Sequence, residues 1–348
     1  MPLTQVSPGL LDTQANAQGF RNRLINGDCR VDQRNAGAAV TGQQYVVDRW
    51  RTWFDPGTYS FQQITDAPTG FTNSLRVTKT NTTQSNYAFL VQYIEGLNCA
   101  DFAWGSASAQ TVTISFWVKS SITGAFTVAL SNSAENRFYG TTYTISAANT
   151  WEYKTVTIAG DTSGTWLTTN GIGIQVMFNF GQAATAQAAN TWTASSNARA
   201  VTGSTSLGTT NNATWQITGV QLEKGTAATD FERLDYGRQL MQCQRYFWRS
   251  NTGNATGCGG FFGVFHNTIT FASTVKWPVT MRAAPSITRG GASDNFYVAG
   301  ISATVTVSTV SPAISVDGAW TEFTSASPTA GTGYAASYNG QLSVSAEL

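Results

Sequence analysis

The chain has 348 residues, with 20 Lys+Arg against 19 Asp+Glu, a formal charge of +1, one histidine, four cysteines and eight prolines. That balance leaves no basic footprint for nucleic acid, the lone His266 excludes multi-histidine metal sites and a triad built on any other histidine, and no apolar run approaches the ~18 residues of a membrane span. Charged residues are 11%, under half of the roughly 25% usual for soluble domains, and the Thr, Ser, Asn, Gln and Gly that replace them suit half-buried pleated surfaces better than helix exteriors.

At about 100–200 residues per domain the length predicts two domains. Residues 1–22 are polar and show no sustained period. They read either as a flexible arm or as an arm that becomes ordered against a partner. The opening Met1-Pro2-Leu3-Thr4 lacks the basic and apolar stretches of a signal peptide.

From residue 23 the period is two. Val112, Ile114, Phe116 and Val118 alternate with Thr111, Thr113, Ser115 and Trp117. Phe126, Val128 and Leu130 repeat the pattern, as do Ile172, Ile174, Val176, Phe178 and Phe180, then Trp215 and Ile217, and, after a break at Gly219, Val220 and Leu222. One apolar face per strand is the mark of antiparallel strands over a core. Turn clusters at Ser121–Gly124 and Asp161–Gly164 fall between the runs. The fold predicted is mainly β, with residues 23–229 a jelly-roll-like β-sandwich. Residues 181–213 read as a surface excursion with one short strand around Trp192.

At Asp230 the character changes. Asp230 can cap a helix, and Phe231 to Trp248 read as one, within a linking segment 230–250. Tyr236, Leu240, Cys243 and Phe247 share a face of it, and Gly237 interrupts it. The face either packs on its own domain or meets copies of itself around a symmetry axis, as the oligomerisation helix of a homotrimer. Residues 251–348 read as a smaller C-terminal β domain that is the trimerisation or distal unit. Ile301, Ala303, Val305 and Val307 alternate, and Asp317-Gly318 and Asn339-Gly340 are hairpin signals. Trp277-Pro278 and Ala284-Pro285 mark strand ends, and the run from Leu342 is strand-like to Leu348.

Little in the chain suggests catalysis. Gly171-Ile172-Gly173 sits inside a strand pattern and lacks the third glycine of a phosphate loop, Gly257-Cys258-Gly259-Gly260 reads as a turn, and no G-x-S-x-G elbow is present. Glu95 with Asp101, or Glu135 with Asp161, are pairs a glycosidase would need, but 19 scattered acids produce such pairs by chance. Asp48 reads as structural, paired with Arg49 or Arg51. Cys29, Cys99, Cys243 and Cys258 lie far apart, and the reading favours thiols over one or two bridges. No enzyme activity, metal or cofactor is therefore expected. Eleven Trp, twelve Tyr and nineteen Phe remain. Aromatic faces beside amide and hydroxyl side chains are what a sugar ligand needs. The rings predicted in loops, Tyr139, Trp166 and Trp192, are the candidate ligand-binding residues. Binding through them would be weak per site, strong through several copies, and nearly insensitive to salt.

Asn22-Arg23-Leu24-Ile25-Asn26-Gly27-Asp28, Arg30-Val31-Asp32-Gln33-Arg34-Asn35 and Tyr45-Val46-Val47-Asp48-Arg49-Trp50 form a motif string that continues along the chain. Ile94-Glu95-Gly96-Leu97-Asn98, Ala103-Trp104-Gly105, Val112–Val118 and Ser146-Ala147-Ala148-Asn149-Thr150-Trp151-Glu152 follow, and Ile217-Thr218-Gly219-Val220-Gln221-Leu222-Glu223-Lys224-Gly225 precedes Cys243-Gln244-Arg245-Tyr246-Phe247. Together with Pro278–Pro285 and the closing Ser345–Leu348, the string resembles fibre proteins of tailed bacteriophages and prophages. The resemblance implies a virion structural protein, on tail or capsid surface, made in the host cytoplasm. It implies a carbohydrate-binding-module-like jelly roll and a trimerising distal part, and assigns no catalytic or binding residue. The partners expected are host-surface glycans and, through the N-terminal arm, other virion proteins, with no nucleic acid and no membrane insertion. The alternatives are a head decoration or adaptor with a purely structural role, and a polysaccharide-degrading spike.

Overall fold

The computed structural model describes residues 20–55, 58–83, 86–181, 185–195, 198–208, 210–250, 262–265, 270–290, 295–298, 304–325, 335–338 and 341–348. The expectations for residues 1–19, Cys258, His266 and Asn339-Gly340 lie outside the described residues. The chain forms two compact units, Met1–Asp235 and Tyr236–Leu348.

The strands of the first unit are β1 (Val40–Thr41), β2 (Tyr45–Val47), β3 (Trp50–Asp55), β4 (Tyr59–Ile64), β5 (Ser74–Lys79), β6 (Tyr87–Glu95), β7 (Val112–Ser120), β8 (Gly124–Ser131), β9 (Phe138–Ile145), β10 (Glu152–Ile158), β11 (Ile172–Asn179), β12 (Ala186–Gln187), β13 (Trp192–Thr193), β14 (Ala200–Val201) and β15 (Thr214–Lys224). All but β12 and β14, which pair with each other in parallel, build a jelly-roll-like sandwich of two antiparallel sheets. One has the order β1-β4-β5-β15-β7-β10 and the other β13-β9-β8-β11-β6-β3-β2. The core lies between them. Val112, Ile114, Phe116 and Val118 of β7 are fully buried with Val128 and Leu130 of β8 and Val176 and Phe178 of β11. Phe116 meets Phe178 edge-on at 4.9 Å, and the buried Trp215 indole donates to Tyr143 Oη at 3.0 Å. The predicted short strand at Trp192 is β13, on the edge of the second sheet beside β9.

The motif string closes this sandwich. Segment 22–28 runs along β15 where its pairing with β7 is bulged between Thr218 and Gln221. Arg23 N donates to Leu222 O at 2.9 Å and Val220 N to Gly27 O at 2.9 Å. A Cβ on Gly27 would stand 2.1 Å from Val220 O, so only glycine permits the approach. Asn26 ties the first motif to the third: its Nδ2 donates to Asp48 O at 3.0 Å, and Trp50 Nε1 donates to Asn26 O at 3.0 Å. Asp48 accepts from Gln33 N at 3.1 Å and lies 3.5 Å from the Arg34 guanidinium. In the motif Ser146–Glu152, Glu152 accepts the N–H groups of Ser146 and Ala147, each at 2.8 Å, and so closes the turn that precedes β10.

In the second unit the helix, α1 (Tyr236–Gln244), is half as long as the sequence predicts. Residues 231–235 are not helical, because Phe231 packs edge-on against Phe71 at 5.3 Å and the N–H of Glu232 is taken by Gln221 Oε1 at 2.7 Å. The predicted face is divided accordingly. Tyr236 is exposed, Leu240 is half-buried and Cys243 is buried. Phe247 has left the helix for β16 (Phe247–Arg249), where it pairs with Ser345. The other strands are β17 (Phe262–Phe265), β18 (Thr270–Lys276), β19 (Ser286–Gly290), β20 (Asn295–Val298), β21 (Thr304–Ile314), β22 (Gly318–Ser325), β23 (Ala335–Tyr338) and β24 (Gln341–Ser345). Six form a closed barrel, β17-β18-β22-β21-β20-β23, and three a small sheet, β16-β24-β19. Trp277-Pro278 ends β18 and Ala284-Pro285 precedes β19, as proline's missing donor requires. The Asp317-Gly318 hairpin is a wider turn than two residues: Ile314 pairs with Ala319, and Ser315 N donates to Gly318 O at 2.8 Å. The final strand stops at Ser345.

Candidate functional site

The three rings singled out in the sequence meet. Trp166 and Trp192 are 5.5 Å apart and Tyr139 and Trp192 5.2 Å, and a fourth ring, Trp104, lies 4.8 Å from Trp166 and 5.3 Å from Trp192. The tryptophans cross at 75–82°, edge against face. Each indole N–H is already used: Trp104 donates to Gln110 O at 2.8 Å, Trp166 to Ser163 O at 3.1 Å and Trp192 to Ala159 O at 2.8 Å. Tyr139 and Trp104 are buried, and Trp166 and Trp192 are half-buried against the main core. The cluster pins the 159–171 loop and the β13 edge to the sandwich.

A second aromatic group stands on the outer face of the first sheet. There the alternation of β7 turns Thr113, Ser115 and Trp117 outward, and β10 sets Thr157, Thr155 and Tyr153 opposite them in register. Trp117 and Tyr153 lie 5.4 Å apart, and Tyr153 is 43% exposed. Residues Thr226–Phe231 and Phe71 wall this floor into an open groove of about 770 Å³, with Arg233 and Asp230 also on its lining. That volume is within the ~300–1,000 Å³ range of small-molecule sites. The β15 bulge enters it at Gly219, which has φ +61°, and where a Cβ would stand 2.7 Å from the Phe71 ring and 3.3 Å from Trp117.

Motif residues hold the wall. Buried Glu223 accepts Thr229 N at 2.8 Å, Thr229 Oγ1 at 2.7 Å and Gln221 Nε2 at 2.8 Å. Arg21 donates to Thr229 Oγ1 at 2.9 Å. Thr113 Oγ1 donates to Gly225 O at 2.9 Å and Thr157 Oγ1 to Thr226 O at 3.2 Å.

The floor differs from the tryptophan cluster in what it leaves unspent. Among the described residues, the Trp117 indole N–H, the Tyr153 hydroxyl, the hydroxyls of Ser115 and Thr155, the Asp230 carboxylate and the Arg233 guanidinium have no hydrogen-bond partner in the chain. Arg233 instead lies over Phe71, 4.6 Å from its centroid, and 5.8 Å from that of Phe231. Sequence reading passed over this site. Its one signal was Trp117, a large ring at an outward position of a strand whose inward face was already apolar.

Three of the four carboxylates weighed as acid–base pairs, Asp101, Asp161 and Glu135, are engaged with arginines. Arg23 holds Asp101 through two contacts of 2.9 and 3.0 Å, Arg137 holds Asp161 through 2.6 and 2.7 Å, and Arg199 pairs with Glu135. Cys29, Cys99 and Cys243 are buried thiols. Burial pushes the Cys99 thiol up to about 12 and that of Cys29 higher still. The described residues hold no group of three or more metal-ligating side chains, and no described helix is long and apolar enough to cross a membrane.

No family model matches the chain, and no curated protein matches it. Among solved structures it is similar to the enzymatically active domain of bacteriophage CBA120 tailspike protein 4, at 12% identity and a TM-score of 0.33 over 59% of this chain. The match spans 21% of that tailspike chain, about a fifth of its length. It is also similar to TmCBM61 solved with β-1,4-galactotriose, at 9% identity, a TM-score of 0.32, 59% of this chain and 99% of that one. A third match is the family 11 carbohydrate-binding module of a Clostridium thermocellum cellulase, at 14% identity, a TM-score of 0.29, 54% of this chain and 98% of that one. Scores this low carry no argument for function, and the sandwich rests on the sheets described above.

Proposed function

We propose that the chain is a non-enzymatic glycan-binding protein, a fibre or spike subunit of a phage virion, whose first unit holds sugar in the groove over β7 and β10. The observation that carries this reading is the set of unspent polar groups beside two ring systems, the half-buried Trp117 and the exposed Tyr153. A pyranose presents C–H groups on one face and hydroxyls at its rim. Trp117 and Tyr153 offer stacking surface, and Ser115, Thr155, the Trp117 indole and Asp230 offer donors and acceptors that no intramolecular partner occupies. The virion role rests on the motif string. Trimer formation is an expectation carried from the same resemblance, and docking through residues 1–22 is one drawn from the arm's few clustered apolar residues.

Binding of the purified protein to an array of bacterial surface polysaccharides tests the reading. The expected result is retention of one polysaccharide class, strengthened by multivalent display, with no new reducing ends released. A protein that binds nothing on the array would favour the adaptor or decoration role, and release of reducing ends would favour a degrading spike.

A further inference from the structure

We infer that the groove takes a glycan bearing a carboxylate sugar, with that carboxylate seated on Arg233. The inference rests on the groove being the glycan site and adds the chemical class of its occupant. Arg233 is held without being paired. Its guanidinium lies over Phe71 and beside Phe231, and its Nη2 would stand 3.3 Å from a Cβ placed on Gly70. Stacking uses the π face of a guanidinium and leaves its N–H edge in the ring plane free. That edge is a rigid fork, matched to the two oxygens of a carboxylate. The side chain is exposed at the groove and, among the described residues, has neither hydrogen bond nor ion pair.

The setting sharpens the argument. Only 11% of the chain is charged, and Arg23, Arg30, Arg34, Arg137 and Arg199 each meet a carboxylate of this chain. Asp230, the other charged group of the lining, makes no ion pair with Arg233 although both face the same groove. Asp230 opposes an anion, so a carboxylate must sit at the Arg233 end, with Asp230 taking hydroxyls. One ion pair per site also replaces the salt insensitivity expected from composition with a modest salt dependence.

The test uses hyaluronan, alginate and polysialic acid, each against its carboxyl-reduced form, in which the same backbone carries a hydroxymethyl group instead. The full chain is expected to bind at least one native polymer about tenfold more tightly than its reduced form. Arg233→Ala should lower affinity for the native polymer to that of the reduced form, Arg233→Lys should fall between, and Asp230→Asn should strengthen native binding. Trp117→Ala should abolish binding of both forms. Equal affinity of the parent for native and reduced polymers, or no binding to any of the acidic polymers, overturns the acidic class. Native binding that survives Trp117→Ala overturns the groove itself.

Discussion

Arg137 shows how this chain uses its few charges. Its bidentate contact seals Asp161, which is 2% exposed, and Asp161 Oδ1 also accepts Ser163 N at 3.0 Å. The hydrogen bonds that Arg137 donates to Asp161 raise the arginine above its ordinary value. Arg137→Ala leaves a buried carboxylate without its cation and is expected to cost about 3 kcal/mol, read as a shift in the urea midpoint. A loss under about 0.5 kcal/mol, the range of an ordinary surface substitution, would show that water replaces the guanidinium. The tryptophan cluster makes a contrasting case at the same scale. Trp166→Ala removes two edge-to-face contacts and part of the lid over the core edge, and should cost about 2 kcal/mol. Because its indole is already committed to Ser163 O, glycan affinity should hold. An affinity drop without a stability change would return the binding role to Tyr139, Trp166 and Trp192.

Among the elements, β15 and β10 link the core to the groove. The bulge at Gly219 brings Phe71 against the strand, and the left-handed φ there favours glycine. Gly219→Ala should therefore weaken both stability and glycan affinity, the second because the added Cβ would displace Phe71 from the groove wall and crowd Trp117. A variant that binds normally would mean the Phe71 wall is not used. At the β10 end two carboxylates set the acid limit. Hydrogen bonding from Lys119 and Trp151 holds Asp66 below the usual carboxylate range. Burial works to raise Glu152, but hydrogen bonds from Lys154, Ala147 N and Ser146 N outweigh it and hold that group low as well. Each binds its proton more weakly folded than unfolded. Their contribution is complete above the ordinary carboxylate pKa and drains as the pH falls through the lowered values. The urea midpoint should be flat from about pH 7 to about pH 5 and decline below about pH 4, and Lys119→Met with Lys154→Met should make that decline shallower. An unchanged decline in the double variant would assign acid sensitivity to other groups.

For the whole molecule, the strands of the sandwich were legible because one apolar face per strand leaves a period-two record, as in β7, β8, β11 and β15. The bulge was visible as the break at Gly219. Tertiary pairings left no such record. Segment 22–28 meets β15 across nearly 200 residues of chain, and nothing local in Asn26 or Gly27 announces it. The helix was overread because Asp230 reads as a cap before Phe231, whereas Phe71 and Gln221, distant in sequence, hold residues 231 and 232 out of it. Three of the four rings of the tryptophan cluster were found by type, although Tyr139 lies in β9 and Trp192 in β13 rather than in loops, and the committed indole N–H groups could be seen only in three dimensions. The groove was missed for the converse reason: its floor is the polar side of strands read for their apolar side. Oligomeric state belongs to this scale too. With Cys243 and Phe247 buried in their own unit, a trimer cannot be seamed by the four residues read from the sequence, and light scattering at micromolar concentration should still give three chain masses if the fibre role holds.

The most direct measurement is the affinity of the parent, Trp117→Ala and Trp166→Ala for one polysaccharide retained on the array, with folding of each checked by circular dichroism. The groove account requires Trp117→Ala to lose binding by tenfold or more while Trp166→Ala binds like the parent. The reverse pattern, or two folded variants that both bind like the parent, would contradict it.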